Sequence, residues 1–400
     1  MLDVVSVEKA LEILSLNFGE SSSCEMVKTE NAAGRILSED VLSDENIPAF
    51  DRSTVDGFAV IASDTYGAGE NMPAMLNVKG EILMGQVPEK DISRGECMKI
   101  STGGMLPTGA DSVVMVEYTD LAFEGTCLCL RAVSTGENVT RKGDDVKEGT
   151  VILKKGRKIS SADTGVLSAL GITEVKCVKK PLVGIISTGD EIIDYSLKPS
   201  VGQIRDINSV LIASLLSENG CETKSYGIIK DNKKELTEVF LRAISECDTV
   251  LLSGGSSKGE RDMTAEIISE RGELLFHGLA MKPGKPTILG RCGKKAVFGL
   301  PGHPAAAYYV CQRLVLPFIK ILTGDTEKAR TLRLPLGTDI PSNHGREEVV
   351  AVKITDGKIY PVFGKSGLVS ILSESDGYII IDRNREGVFL GEETEVYLTR

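Results

Sequence analysis

The sequence predicts a multidomain α/β-plus-β protein built around a doubly wound, mostly parallel α/β domain. Three observations predict it. The chain has 400 residues, more than one simple domain needs and enough for about two to four. From Val41 to Leu153 short strand-like runs (VKGEILMG, TCLCLRAV) are broken by Gly and Pro, the punctuation of a β-rich domain. From Pro181 to Gly324 strands alternate with helices at the spacing of βαβ units.

The elements follow in order. Val7, Ala10, Leu11 and Leu14 give the N-terminal segment the apolar repeat of an amphipathic helix, not the core of a signal peptide. Ser160 to Ile172 reads as a short capped helix ending at Gly171. It is expected to pack with the N-terminal helix, so that residues 1–45 and 146–179 form one domain and 46–145 a β-rich domain inserted in it. In the α/β domain, 180–325, PLVGIISTG, TKSYGII and DTVLLSGG read as strands; helices follow near Val210, at KKELTEVFLRAISE and from about Asp262. Short strands LLFHG, PTILG and AVFGL then lead to a helix from Pro304. Residues 326–400 return to strands (EEVVAVKIT, GYIIID, TEVYLT) and form a small β domain.

Composition excludes some functions. The net charge is −11, aromatics are 5% and Trp is absent, which argues against nucleic acid and anionic membranes as partners. No run reads as long enough to span a bilayer. Nine cysteines without a CxxC pair suit reduced thiols and a cytoplasmic location; Cys127 and Cys129 would share one strand face.

Ligands of an open α/β sheet bind beyond the carboxyl ends of its strands. Three unusual loops fall there: Ser187-Thr188-Gly189 followed by Asp190 and Glu191, Gly254-Gly255-Ser256-Ser257-Lys258 running on to Asp262, and Pro301-Gly302-His303-Pro304. Glycine-rich strand ends let backbone N–H groups turn toward an anion, and the next helix N-terminus adds positive potential. Lys282 and Lys285 sit on a stiff loop between prolines. Carboxylates beside an anion site call for a divalent cation, and Asp190, Glu191, Asp231 and Asp262 are candidates. Singly, each has an ordinary reading: a tight turn, a helix N-cap, a solvated loop. Together, at the ends of strands in one sheet, they point to a phosphate-bearing ligand.

PAFDRSTVDGFAV, ISTGGMLPTGADSVVMVE, GENVTRKGDDVKEG, PLVGIISTGDEI, SGGSSKGERD, MKPGKP and GLPGHP occur in the order found in MoeA-type molybdopterin molybdenumtransferases, the family of the gephyrin E domain. The resemblance runs the length of the chain. It implies an elongated homodimer of four-domain subunits ending in a C-terminal β-barrel domain. The implied reaction inserts molybdate into adenylylated molybdopterin with release of AMP, assisted by Mg²⁺. A molybdopterin adenylyltransferase and molybdoenzyme maturation proteins are the implied partners. Carried over by motif, Asp56, Thr102, Asp145, Glu191 and Asp262 fall at catalytic positions, and Glu191, Asp231 and Asp262 at metal-holding ones. Ser187, Thr188, Gly189, Gly254, Gly255, Ser257, Lys282, Lys285, Pro301 and Pro304 are implied to bind substrate. Arg346 and Ser366 resemble the arginine and serine associated with molybdate. The cleft is implied to lie between the α/β domain of one subunit and the β domain of the other.

The chain departs from that pattern at His303 (usually Asn), Thr140 (usually Arg), and Ser256 and Lys258 (usually Val). Pro304 suits a first helical turn, so His303 is expected at the N-cap, its imidazole accepting a backbone N–H beside the anion site. A tungstate-using paralogue, a molybdopterin adenylyltransferase and a non-catalytic scaffold stay open as alternatives.

Overall fold

The computed structural model describes residues 4–21, 23–123, 125–254, 258–364 and 369–399, and only the backbone of 122–123 and 258–262. At its centre, strands β1 (Leu182–Thr188), β2 (Glu222–Ile229), β3 (Thr249–Gly254), β4 (Glu273–His277), β5 (Ile288–Cys292) and β6 (Lys295–Leu300) form one sheet in the order β2-β1-β3-β6-β5-β4. β2, β1, β3 and β6 run parallel, β5 pairs antiparallel with β6, and β4, antiparallel to β5, runs in the direction of the first four. The tight turn at Gly293, with φ +62°, explains the change, since so short a link joins only antiparallel neighbours.

Helices cover both faces. α1 (Val7–Asn17), α3 (Asn208–Glu218), α6 (Pro304–Val310) and α7 (Leu316–Thr323) pack on one, around Val183, Ile185, Leu251 and Phe298. α4 (Lys233–Glu246) and α5 (Lys258–Arg271) cover the other, around Ile186, Phe240, Val250 and Ile268. Caps set several helix starts: Ser6 Oγ accepts from Lys9 N–H, and Asn232 Oδ1 from the N–H groups of Lys234 and Glu235.

Two expectations are corrected here. α1 does not bury its face in the first domain: Val7, Ala10, Leu14 and Phe18 join the α/β core, with Phe18 and Phe318 in edge-to-face contact. The helix over 161–169, α2 (Ser161–Ala169), instead places Leu167 in a separate core with Val27, Leu37, Ile159 and Val175. A 3.6-residue period reveals a buried face but not its partner. Secondly, Pro304–Thr323 is one continuous 20-residue helical stretch, through a π-helical turn at Cys311–Val315, with mean hydropathy 1.3. By length and composition it could cross a membrane. In this fold Val310, Cys311, Leu314, Val315 and Phe318 are buried in the α/β core, which accounts for apolar residues on so much of its circumference.

The inserted β domain has its own six-stranded sheet and two small cores, around Phe58, Leu76 and Val114 and around Ile82, Ile100 and Val113. Cys127 and Cys129 do share the buried face of one strand. The C-terminal strands Lys358–Pro361, Glu347–Thr355, Gly377–Ile381, Glu393–Leu398 and Thr331–Pro335 pair in that order. A bridge between Leu336 and Ile359 closes the ring into a barrel. All nine cysteines are free thiols; burial pushes Cys221 and Cys311 up to about 12, so they stay protonated and inert.

Candidate functional site

Strand order reverses between β1 and β3: from β1 the chain goes outward to β2, then back across to β3. A crevice opens at such a switch point, and register decides what lines it. Thr188 pairs directly with Gly254, and Ser253 with Leu300. The three loops singled out in the sequence therefore leave adjacent strands side by side. Gly254 has φ +149°, and a Cβ there would lie 2.0 Å from the Thr188 carbonyl oxygen, so only glycine permits this approach. Gly189 has φ +144°, and a Cβ on it would meet Glu191 Oε2 at 2.8 Å: the carboxylate folds over the turn.

Beneath the crevice is a polar cluster that sequence reasoning missed. Asn208, the first residue of α3, donates through Nδ2 to Ser253 Oγ at 2.8 Å and to the Gly302 carbonyl at 2.9 Å. A carbonyl only accepts, so the amide orientation is fixed. Asn208 Oδ1 and Ser187 Oγ are buried with no hydrogen-bond partner among the described residues. One side chain thus ties together the ends of β3, α3 and the PGHP turn. The signal in the sequence was a polar residue opening an otherwise apolar helix, which reads equally well as a cap.

The carboxylates gather loosely. Asp231 N–H donates to Asp190 Oδ1 at 3.3 Å, joining the loops after β1 and β2. Asp262 lies in the second turn of α5, and its side chain is outside the described residues, as are Gly255, Ser257 and Ser366. Among the described residues no three His, Cys, Asp or Glu side chains converge on a metal position. A Mg²⁺ ion held by one or two carboxylates and by substrate phosphates needs no such trio, and Glu191 and Asp231 at the crevice fit that manner of binding.

The Lys282 loop is tied to the barrel. Met281 and Lys282 run parallel to Glu347 and Glu348, and Lys282 Nζ is 2.7 Å from Glu348 Oε1. Glu347 is buried and makes two bonds to Arg313, at 2.9 and 3.0 Å. Exposed Arg346 immediately precedes this pair, so the structure brings Lys282 and Arg346 to one place; Lys285, three residues on, is also exposed.

Asp56 and Thr102 meet each other: Asp56 Oδ1 accepts from Thr102 N–H at 2.7 Å and from its hydroxyl at 3.1 Å. Those bonds, the backbone one first, hold the Asp56 carboxyl below the usual carboxylate range. Asp145 is exposed on the same domain, and Thr140 pairs with Arg52. Among the described residues no hydrogen bond or ion pair joins this domain to the α/β domain of the same chain. His303 stands at the N-cap of α6 with Pro304 at the first turn, but its side chain makes no cap hydrogen bond. The expected imidazole cap is therefore corrected: the ring is longer than the short Asn, Ser or Asp side chains that curl back to the second and third N–H groups. Pro301 and Pro304 are both buried and fix the turn.

Three family models match successive parts of the chain. Residues 5–171 match the MoeA N-terminal region (domain I and II), 184–321 a "probable molybdopterin binding domain", and 333–399 the MoeA C-terminal region (domain IV). The chain is 32% identical to the molybdopterin molybdenumtransferase of Haemophilus influenzae, over 93% of each protein. It is 32% identical to that of Bacillus subtilis, over 96% of this chain and 92% of the other. A crystal structure of the molybdopterin biosynthesis MoeA protein from Pyrococcus horikoshii superimposes with a TM-score of 0.89 at 32% identity, covering 99% of this chain and all of that one. Matched from α1 to the last barrel strand by sequence and by fold, this chain belongs to the MoeA family.

Proposed function

We propose that this protein is a molybdopterin molybdenumtransferase: it inserts molybdate into adenylylated molybdopterin and releases AMP. The observation that carries the reading is the pairing of Thr188 with Gly254, which sets the TGD and SGG loops on one switch-point crevice. The backbone of those loops and the start of the next helix suit the phosphates. Lys282, Lys285 and Arg346 offset the charge of the arriving oxyanion, with Ser366 assigned beside them from the motif. Glu191, Asp231 and Asp262 would hold Mg²⁺, whose chemistry is to neutralise and polarise the phosphoanhydride. The carboxylates themselves repel both anions, so their work lies in placing that cation.

In this reading the protein works as a homodimer in the cytoplasm, and Asp56, Thr102 and Asp145 approach the crevice from a second copy. Support comes from the separation of the inserted domain from the α/β domain of its own chain. The exposed apolar run Tyr195, Leu197, Val201 and Ile204, just beyond Glu191, is a surface suited to that second copy. An adenylyltransferase supplies the substrate, and proteins that mature molybdoenzymes take the product.

The test is AMP release from adenylylated molybdopterin with Mg²⁺, comparing no oxyanion, molybdate and tungstate. Release stimulated by molybdate supports the reading, and a preference for tungstate reassigns the metal. Folded dimer that releases nothing with either oxyanion overturns it.

A further inference from the structure

Lys282 is engaged before any oxyanion arrives. Its ammonium contacts Glu348 Oε1 at 2.7 Å, and the parallel register Lys282↔Glu348 fixes the pairing through the backbone. Glu348 is the anchored partner: its side chain is 14% exposed against 45% for Lys282, and its other oxygen accepts from Ser342 Oγ at 2.7 Å. Just below, Arg313 clamps Glu347, so the short segment carrying Arg346 and Glu348 is held from inside the protein. The lysine can swing away; the carboxylate is the fixed member.

We propose that Glu348 sets the affinity of the oxyanion site by competing with the incoming tetrahedral dianion for the Lys282 ammonium. The inference rests on the assignment of Lys282 to that site. Two anions cannot both sit in contact with one ammonium without repelling each other. Every oxyanion therefore meets the same cost of displacing Glu348. Molybdate recovers it by ligand exchange: two Mo–S bonds form to the dithiolene of the substrate while one Mo–O bond breaks, the oxo ligand leaving as water with the two thiol protons and the oxidation state unchanged, an exchange that phosphate and sulfate do not undergo. The site is kept clear of common oxyanions without any shape-based filter.

The experiment measures equilibrium binding of molybdate and of inorganic phosphate to the full-length protein, as wild type, Glu348→Gln, Glu348→Asp and Lys282→Gln. The KM for molybdate and kcat for AMP release are measured alongside. Glu348→Gln is expected to bind phosphate at least about tenfold tighter than wild type. Its KM for molybdate falls with no gain in kcat, a split that a merely structural role would not produce. Phosphate then inhibits Glu348→Gln at concentrations harmless to wild type. Should Glu348→Gln fail to fold, Glu348→Asp withdraws the carboxylate by one methylene and is expected to tighten phosphate in the same direction. Unchanged or weaker phosphate binding in the folded variant, with Lys282→Gln weakened, overturns the proposal and leaves the Lys282 assignment standing. Lys282→Gln binding phosphate as wild type does removes both.

Discussion

Thr102 gives Asp56 two hydrogen bonds, one from its backbone and one from its hydroxyl, across 46 residues of chain. The backbone bond is the larger cause of the lowered Asp56 pKa and survives any substitution of the side chain. Thr102→Val should therefore raise the Asp56 midpoint only part of the way to its ordinary value, as followed by carboxyl-carbon NMR. A carboxylate depressed in the folded state adds stability above its unfolded pKa. That contribution disappears as pH falls through the folded value, so the variant should lose its share at a higher pH than wild type does. An unmoved midpoint would mean that the hydroxyl bond does not form in solution.

Asn208→Ala removes the donor shared by Ser253 and Gly302 and leaves the buried Ser253 hydroxyl and the part-buried Gly302 carbonyl without that bond. We expect a loss of about 1–3 kcal/mol in urea unfolding. Substrate binding should fall further than stability alone explains, because the PGHP turn and the SGG strand end lose their common tie. Asn208→Asp is the sharper variant, since its carboxylate would face the Gly302 carbonyl.

Arg313→Met strands the buried Glu347 carboxylate at the junction of helix and barrel. Breaking such a pair costs roughly 3–5 kcal/mol. Replacing both partners, with Glu347→Leu added, should recover much of it. If calorimetry finds the double variant no better than the single, the pair is not what holds this junction.

At Gly254 any side chain meets the Thr188 carbonyl oxygen at 2.0 Å. Gly254→Ala is expected to force the two strand ends apart and to lose pterin binding, at a cost on the order of 1–3 kcal/mol. Fluorescence titration with molybdopterin would show it. Binding at wild-type strength would remove this close approach from the site.

His303→Asn should behave in the opposite way. It supplies a side chain short enough to cap α6, where none now does so, and should stabilise by about 0.5–1 kcal/mol while leaving turnover intact. Turnover lost with stability kept would make His303 part of the chemistry.

Much of this was legible in the sequence because the physics was local. Glycines at strand ends and helix starts after them mark the loops that line the crevice, whatever the topology. The capping residue Ser160 marks a helix start in the same way. What stayed hidden was pairing. The sequence displays Thr188 and Gly254 but not their register, and Lys282 but not Glu348, which reaches it from another domain. Asn208 is not legible as a tie between loops, because a polar residue at a helix start already has an ordinary explanation. The apolar stripe of α1 announced a buried face, yet its partner Phe318 lies at the far end of the α/β domain.

That placement of α1 bears on how the protein is made. α1 packs against α7, the last helix of the α/β domain, so its apolar face has no permanent partner until residues 316–323 are synthesised. The first domain and its insertion have cores of their own and can settle in the meantime. The central domain is sewn shut from both ends. Expressed alone from residue 180, it would carry an open groove where Val7, Ala10 and Leu14 belong, a surface that invites aggregation.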